Sequence, residues 1–79
     1  MRFTTLQGQY LAFIRTYSVI NRRPPSEADM QRFFGVTAPS VHQMVLTLEN
    51  RGLISRAAGV ARSIRVLVPA EDLPPLHER

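Results

Sequence analysis

Apolar residues recur along this chain with two different periods, and the change from one to the other falls at Gly52. Upstream, Leu6, Tyr10, Leu11, Phe13, Ile14 and Tyr17 lie at helical spacing over several turns, so a first helix is predicted to open at Thr4 or Thr5. Gly8 inside it costs about 1 kcal/mol relative to alanine. Pro24 and Pro25 stop it, because a residue before proline is pushed out of helical backbone angles. Ser26 with Asp29 three positions on approximates a capping box and starts a short second helix, SEADMQRFF, ended by Gly35 and buried through Met30 and Phe34. In VTAPSVHQMVLTLENRG, Thr37 suits an N-cap, Pro39 the first turn, and Gly52 the left-handed residue that ends a helix. Between them Val41, Met44, Val45 and Leu48 share one stripe, the buried side of a third helix over 38–51.

Beyond Gly52 the period drops to two. LISRA and RSIRVLV read as strands, and AAGVA between them, with its single Gly59, suits an antiparallel hairpin with a loop of three to five residues. PAEDLPPLHER, residues 69–79, has three prolines and no period, and reads as an extended tail. The chain therefore divides into a folded part, 1–68, and a tail, 69–79. The fold class is mainly α with a small β-hairpin. Its order, α-α-α-β-β, outlines a winged helix-turn-helix with a wing over 53–68.

Composition narrows the chemistry. Seventy-nine residues make one small domain, and the absence of cysteine removes disulfides and thiolate ligands. His42 and His77 lie far apart, with no second ligand at a metal-binding spacing, so neither a metal nor a cofactor is expected. No Ser-His-acid set or phosphate loop is visible, which argues against an enzyme and a small-molecule substrate. No apolar run approaches a membrane span, and MRFTTLQGQ lacks the core of a signal peptide, so the expected setting is cytoplasmic and nucleoid-associated. Charge is the more telling signal. All ten basic residues are arginine; through Val68 nine of them face three acids, a net of +6, and after it one faces three, a net of −2. The folded part is the basic part, as suits a polyanionic partner.

The side of the third helix turned away from its apolar stripe carries Ser40, His42, Gln43, Leu46, Thr47 and Asn50. These are almost all uncharged hydrogen-bonding groups, whereas a helix facing only water more often carries Glu and Lys. Phe33 and Leu46 fit neither stripe nor polar face. Leu46 is placed to touch a thymine methyl, Phe33 to join a self-association surface, or either to be covered by the tail.

FTTLQGQYLAFIRTY, NRRPPSEADMQRFFGVT, PSVHQMVLTLENRGLI and AAGVARSIRVL together resemble the N-terminal DNA-binding domain of LexA repressors, from about Phe3 to Leu67. The central segment is also similar to the recognition region of MarR-type regulators. The sequence departs from the LexA pattern at Gln31, where a small residue is usual, and at Phe33, where a polar one is. It has neither the length nor the lysine for the self-cleaving domain that LexA repressors carry. The resemblance implies sequence-specific binding of double-stranded DNA by a repressor-like regulator without a catalytic step, with the third helix in the major groove and the wing on the backbone. Ser40, His42, Gln43 and Thr47 then become the base-contacting candidates, and Arg22, Arg23, Arg56, Arg62 and Arg65 the phosphate-contacting ones, Arg62 foremost. Arg32 and Arg51 are weaker candidates. A homodimer through the first helix, Phe33 or the tail would supply a second half-site. The competing expectation is a winged-helix module that docks on another protein through the same surfaces.

Overall fold

The structure, a computed structural model, describes residues 2–78. Three helices, α1 (Thr5–Asn21), α2 (Glu27–Phe34) and α3 (Ala38–Asn50), precede two short strands, β1 (Ile54–Ser55) and β2 (Arg65–Val66), and a 3-10 turn at Ala70–Asp72. This is the winged helix-turn-helix order read from the sequence.

Each helix begins on a side-chain cap. At α1 the Gln7 N–H donates to Thr4 Oγ1 at 3.1 Å while Gln7 Oε1 accepts from the Thr4 N–H at 3.0 Å. At α2, Ser26 and Asp29 make the same reciprocal pair, at 2.9 and 3.1 Å. Thr37 caps α3 by accepting from the Ser40 N–H. These bonds satisfy donors that the first turn leaves orphaned, each worth about 1 kcal/mol. Gly35 (φ 65°) and Gly52 (φ 73°) end α2 and α3 in the left-handed conformation. α1 ends instead on Arg22, left-handed at φ 57°.

The core gathers Leu11 and Ile14 from α1, Met30 and Phe34 from α2, Val41, Val45 and Leu48 from α3, and Leu53, Ile54, Ile64 and Val68 from the wing. Aromatic rings link the first two helices: Tyr10 stacks on Phe34 with centroids 4.0 Å apart, and Phe13 lies 4.5 Å from Phe33. Phe33 is thus half-buried against α1, which accounts for an aromatic residue at that position. Met44 is half-buried at the margin of the core.

Three features differ from the sequence expectation. Leu6 is 51% exposed, outside the core that its spacing suggested. Gln7 to Ile14 are buried without interruption, because the tail covers a second side of α1 and the burial no longer follows one stripe. The tail is extended after its 3-10 turn, but it is docked rather than free. Leu73 and Leu76 pack on the core, and Gln9 holds both Pro75 and His77.

The wing is the third. Pairing is limited to Ile54 with Val66 and Ser55 with Arg65, so residues 56–64 form a loop longer than the expected three to five residues. The Ser63 hydroxyl takes the place of further ladder bonds. Its Oγ accepts from the Ala57 N–H at 3.0 Å and lies 3.1 Å from the Ala57 carbonyl and 2.8 Å from the Val60 carbonyl. Gly59 (φ 75°) and Arg62 (φ 56°) turn the chain within this loop.

Candidate nucleic-acid interface

α3 turns its polar side to solvent. Ser40, His42, Gln43 and Asn50 are exposed, Leu46 is 36% exposed, and Thr47 is half-buried. Local bonds constrain what these side chains offer. Thr47 Oγ1 donates to the Gln43 carbonyl at 2.9 Å, so its proton is committed while its oxygen remains an acceptor. Ser40 Oγ accepts from the Thr37 hydroxyl at 3.1 Å, within the cap of the helix. His42 Nδ1 sits 3.2 Å from each carboxylate oxygen of Glu27 on α2. A carboxylate only accepts, so Nδ1 carries the proton there; in the neutral form of the ring this leaves Nε2 as an acceptor.

The wing loop stands opposite one member of this face, His42. An open groove of about 370 Å³ lies between them, with Ser26, Glu27 and His42 on one wall and Arg56, Gly59 and Arg62 among the wing residues on the other. His42, the start of α2 and the wing thus line one solvent-open groove, while Gln43, Leu46, Thr47 and Asn50 line a separate open groove along α3.

The candidate arginines fall into two groups. Arg22, Arg23 and Arg65 are exposed and have no carboxylate partner among the described residues. With Arg15, which the sequence pattern did not single out, they rim a second groove between α1 and β2. The others are already engaged. Arg56 Nε donates to Glu49 Oε1 at 3.1 Å and is mostly buried. Arg51 donates to the Arg2 carbonyl at 2.8 Å, and Arg32 pairs with Asp29.

Arg62, the foremost phosphate candidate in the sequence, turns its guanidinium toward the helices. Nη1 lies 3.2 Å from the Tyr17 hydroxyl, 3.1 Å from the Pro24 carbonyl and 3.0 Å from Asp29 Oδ2. Asp29 is only 9% exposed, and its pKa is lowered to about 2. The Ser26 backbone N–H contributes most to that shift, opposed by burial and aided by the Ser26 and Tyr17 hydroxyls and the charge on Arg62. The capping role of Asp29 was legible in the sequence; that the same oxygen, Oδ2, also holds the wing was not.

Comparison with known proteins decides the family at this point. The profile of the LexA DNA binding domain matches residues 1–63. The chain belongs to this family. It is also similar to the LexA repressor of Thermosipho melanesiensis, 32% identical over 72 residues. That match covers 91% of this chain and 36% of the repressor, so the chain spans little more than a third of the length of this relative. Among the described residues of this LexA-type domain, no helix is long and apolar enough to cross a membrane.

Proposed function

We propose that this domain reads double-stranded DNA by sequence and acts as a repressor-type regulator through occupancy, with α3 in the major groove and the wing loop along the adjacent backbone. The observation that carries this reading is the exposed polar side of α3, with Ser40, His42 and Gln43 open to solvent, beside a groove in which His42 faces the arginine-bearing wing loop. Gln43, exposed and long, suits a bidentate contact to adenine; Ser40 and Thr47 offer acceptors, and His42 offers Nε2. Arg22, Arg23 and Arg65 are the arginines best placed for phosphate, since none is held by a carboxylate among the described residues.

Occupancy by two copies is part of the same proposal. Phe33 is stacked on Phe13 and the tail leucines on the core, whereas Val19 and Ile20 at the end of α1 are 63% and 72% exposed. These two side chains are the apolar surface that supports self-association.

Selection of bound duplexes from a random pool, followed by a salt titration of the enriched duplex, tests the reading. A defined site and an affinity that falls steeply with salt are expected, with a slope of about −0.9 per phosphate neutralised. Symmetry in the site would report two copies. Failure to enrich any sequence, or binding indifferent to salt, would overturn it and direct attention to a protein partner.

A further inference from the structure

We propose that Arg62 is a positioning residue: by tying the wing loop to Tyr17, Pro24 and Asp29 it sets the angle between loop and α3, and hence the shape of the groove that receives DNA. This inference rests on the proposed function, in which the wing follows the backbone.

The wing has few other means of holding a direction. Its ladder contains two residue pairs, and the Ser63 staple closes the loop on itself without reaching the helices. Ala57, Ala58, Gly59, Val60 and Ala61 are exposed, so no apolar packing anchors the tip. Among the described residues, two side chains of the loop bond to the helical body: Arg56 to Glu49 on α3, and Arg62 on the opposite flank. Arg62 is the wider of the two ties, since its acceptors come from α1, the loop after it, and α2. Its guanidinium carbon also lies 5.9 Å from the Tyr17 ring centroid.

Electrostatics favours keeping this tie when a duplex arrives. Drawing Arg62 away to a phosphate would strip a mostly buried carboxylate of its cross-chain cation, leaving Asp29 with Arg32, itself largely in solvent, and the cap of α2. A loop already fixed in its bound direction loses less conformational freedom on association. Arg62 thus acts on DNA through the wing, and the contacts to phosphate fall to other groups.

The test compares wild type, Arg62→Ala, Asp29→Asn and their combination, each as the full chain well below its melting temperature. The probes are the enriched duplex across a salt series and hydrogen exchange of residues 57–63 in the free protein. Asp29→Asn removes a negative charge, so electrostatics alone would tighten binding. The proposal expects it instead to weaken binding by about five- to tenfold, the low end of typical coupling between sites. It also expects faster exchange in the wing and a double variant no weaker than Arg62→Ala alone. Wild-type-like or tighter binding by Asp29→Asn, with Arg62→Ala losing about 0.9 in salt slope, would make Arg62 a direct phosphate contact and overturn the proposal. A purely stabilising role would lower the melting temperature while leaving the folded protein's affinity intact, which also overturns it. Should Asp29→Asn fail to fold, Tyr17→Phe removes one hydroxyl from the same network: a weaker, faster-exchanging wing supports the proposal, and unchanged affinity overturns it. Wild-type protein that shows no salt-dependent duplex binding would instead sink the functional reading beneath it.

Discussion

The side-chain amide of Gln9 closes on the tail from both of its ends, donating from Nε2 to the Pro75 carbonyl at 2.9 Å and accepting at Oε1 from the His77 N–H at 2.8 Å. A glutamine buried on α1 thereby supplies the tail with a substitute for backbone pairing. Gln9→Ala leaves both tail groups without that partner and is expected to destabilise the domain by about 1–3 kcal/mol. Denaturant unfolding measures this, and limited proteolysis should show earlier cleavage within residues 73–78. Unchanged stability would mean that these two bonds contribute nothing to the fold.

Gly8 makes the opposite of the usual helical prediction. In a solvent-facing helix, alanine in place of glycine gains about 1 kcal/mol. Here an added Cβ would stand 3.0 Å from Phe3 Cε1 and 3.1 Å from Pro74 Cγ, pressed between a buried ring and the docked tail. Gly8→Ala is therefore expected to lower the melting temperature, at a net cost of about 1 kcal/mol. A higher melting temperature would show that the ring and the tail yield easily.

Asp29 sets an acid limit. Its folded pKa of about 2 lies below the ordinary 3.8, so its ionised form stabilises the native state above about pH 4, and that contribution is lost as pH falls toward 2. Asp29→Asn should be less stable than wild type at neutral pH, with the gap in melting temperature narrowing between pH 4 and 2. A gap that stays constant across that window would detach the shift from stability.

His42 and Glu27 yield a prediction about base preference. With Nδ1–H directed at the carboxylate, Nε2 of the neutral ring is an acceptor and suits the amino group of adenine or cytosine in the major groove. Glu27→Gln can either donate or accept and no longer enforces that tautomer. Duplex selection with this variant should relax the preference at the base that His42→Ala also affects, while other positions stay as in wild type. If His42→Ala changes the preference and Glu27→Gln does not, the ring reads its base without help from Glu27.

The helices were legible because their signals are local. Ser26 and Asp29 stand three residues apart, as do Thr37 and Ser40, and the capping bonds form within that span. The polar face of α3 was legible for the same reason. Long-range bonds to main-chain atoms leave no residue pattern, so Gln9 gave no hint of Pro75, 66 positions away. Leu6 matched a helical stripe, yet it lies in the first turn of α1, before the buried stretch from Gln7 to Ile14. Arg62 looked like any other wing arginine because its partners lie 33 to 45 residues upstream, one of them a carbonyl. The length of the wing loop depended on one hydroxyl, at Ser63, whose bonding no alternation of apolar residues reveals.

Two paired residues per strand also leave little open rim along the wing, hardly a stretch of unused N–H and C=O groups for another copy to extend. The wing therefore offers little template for sheet-driven aggregation between copies.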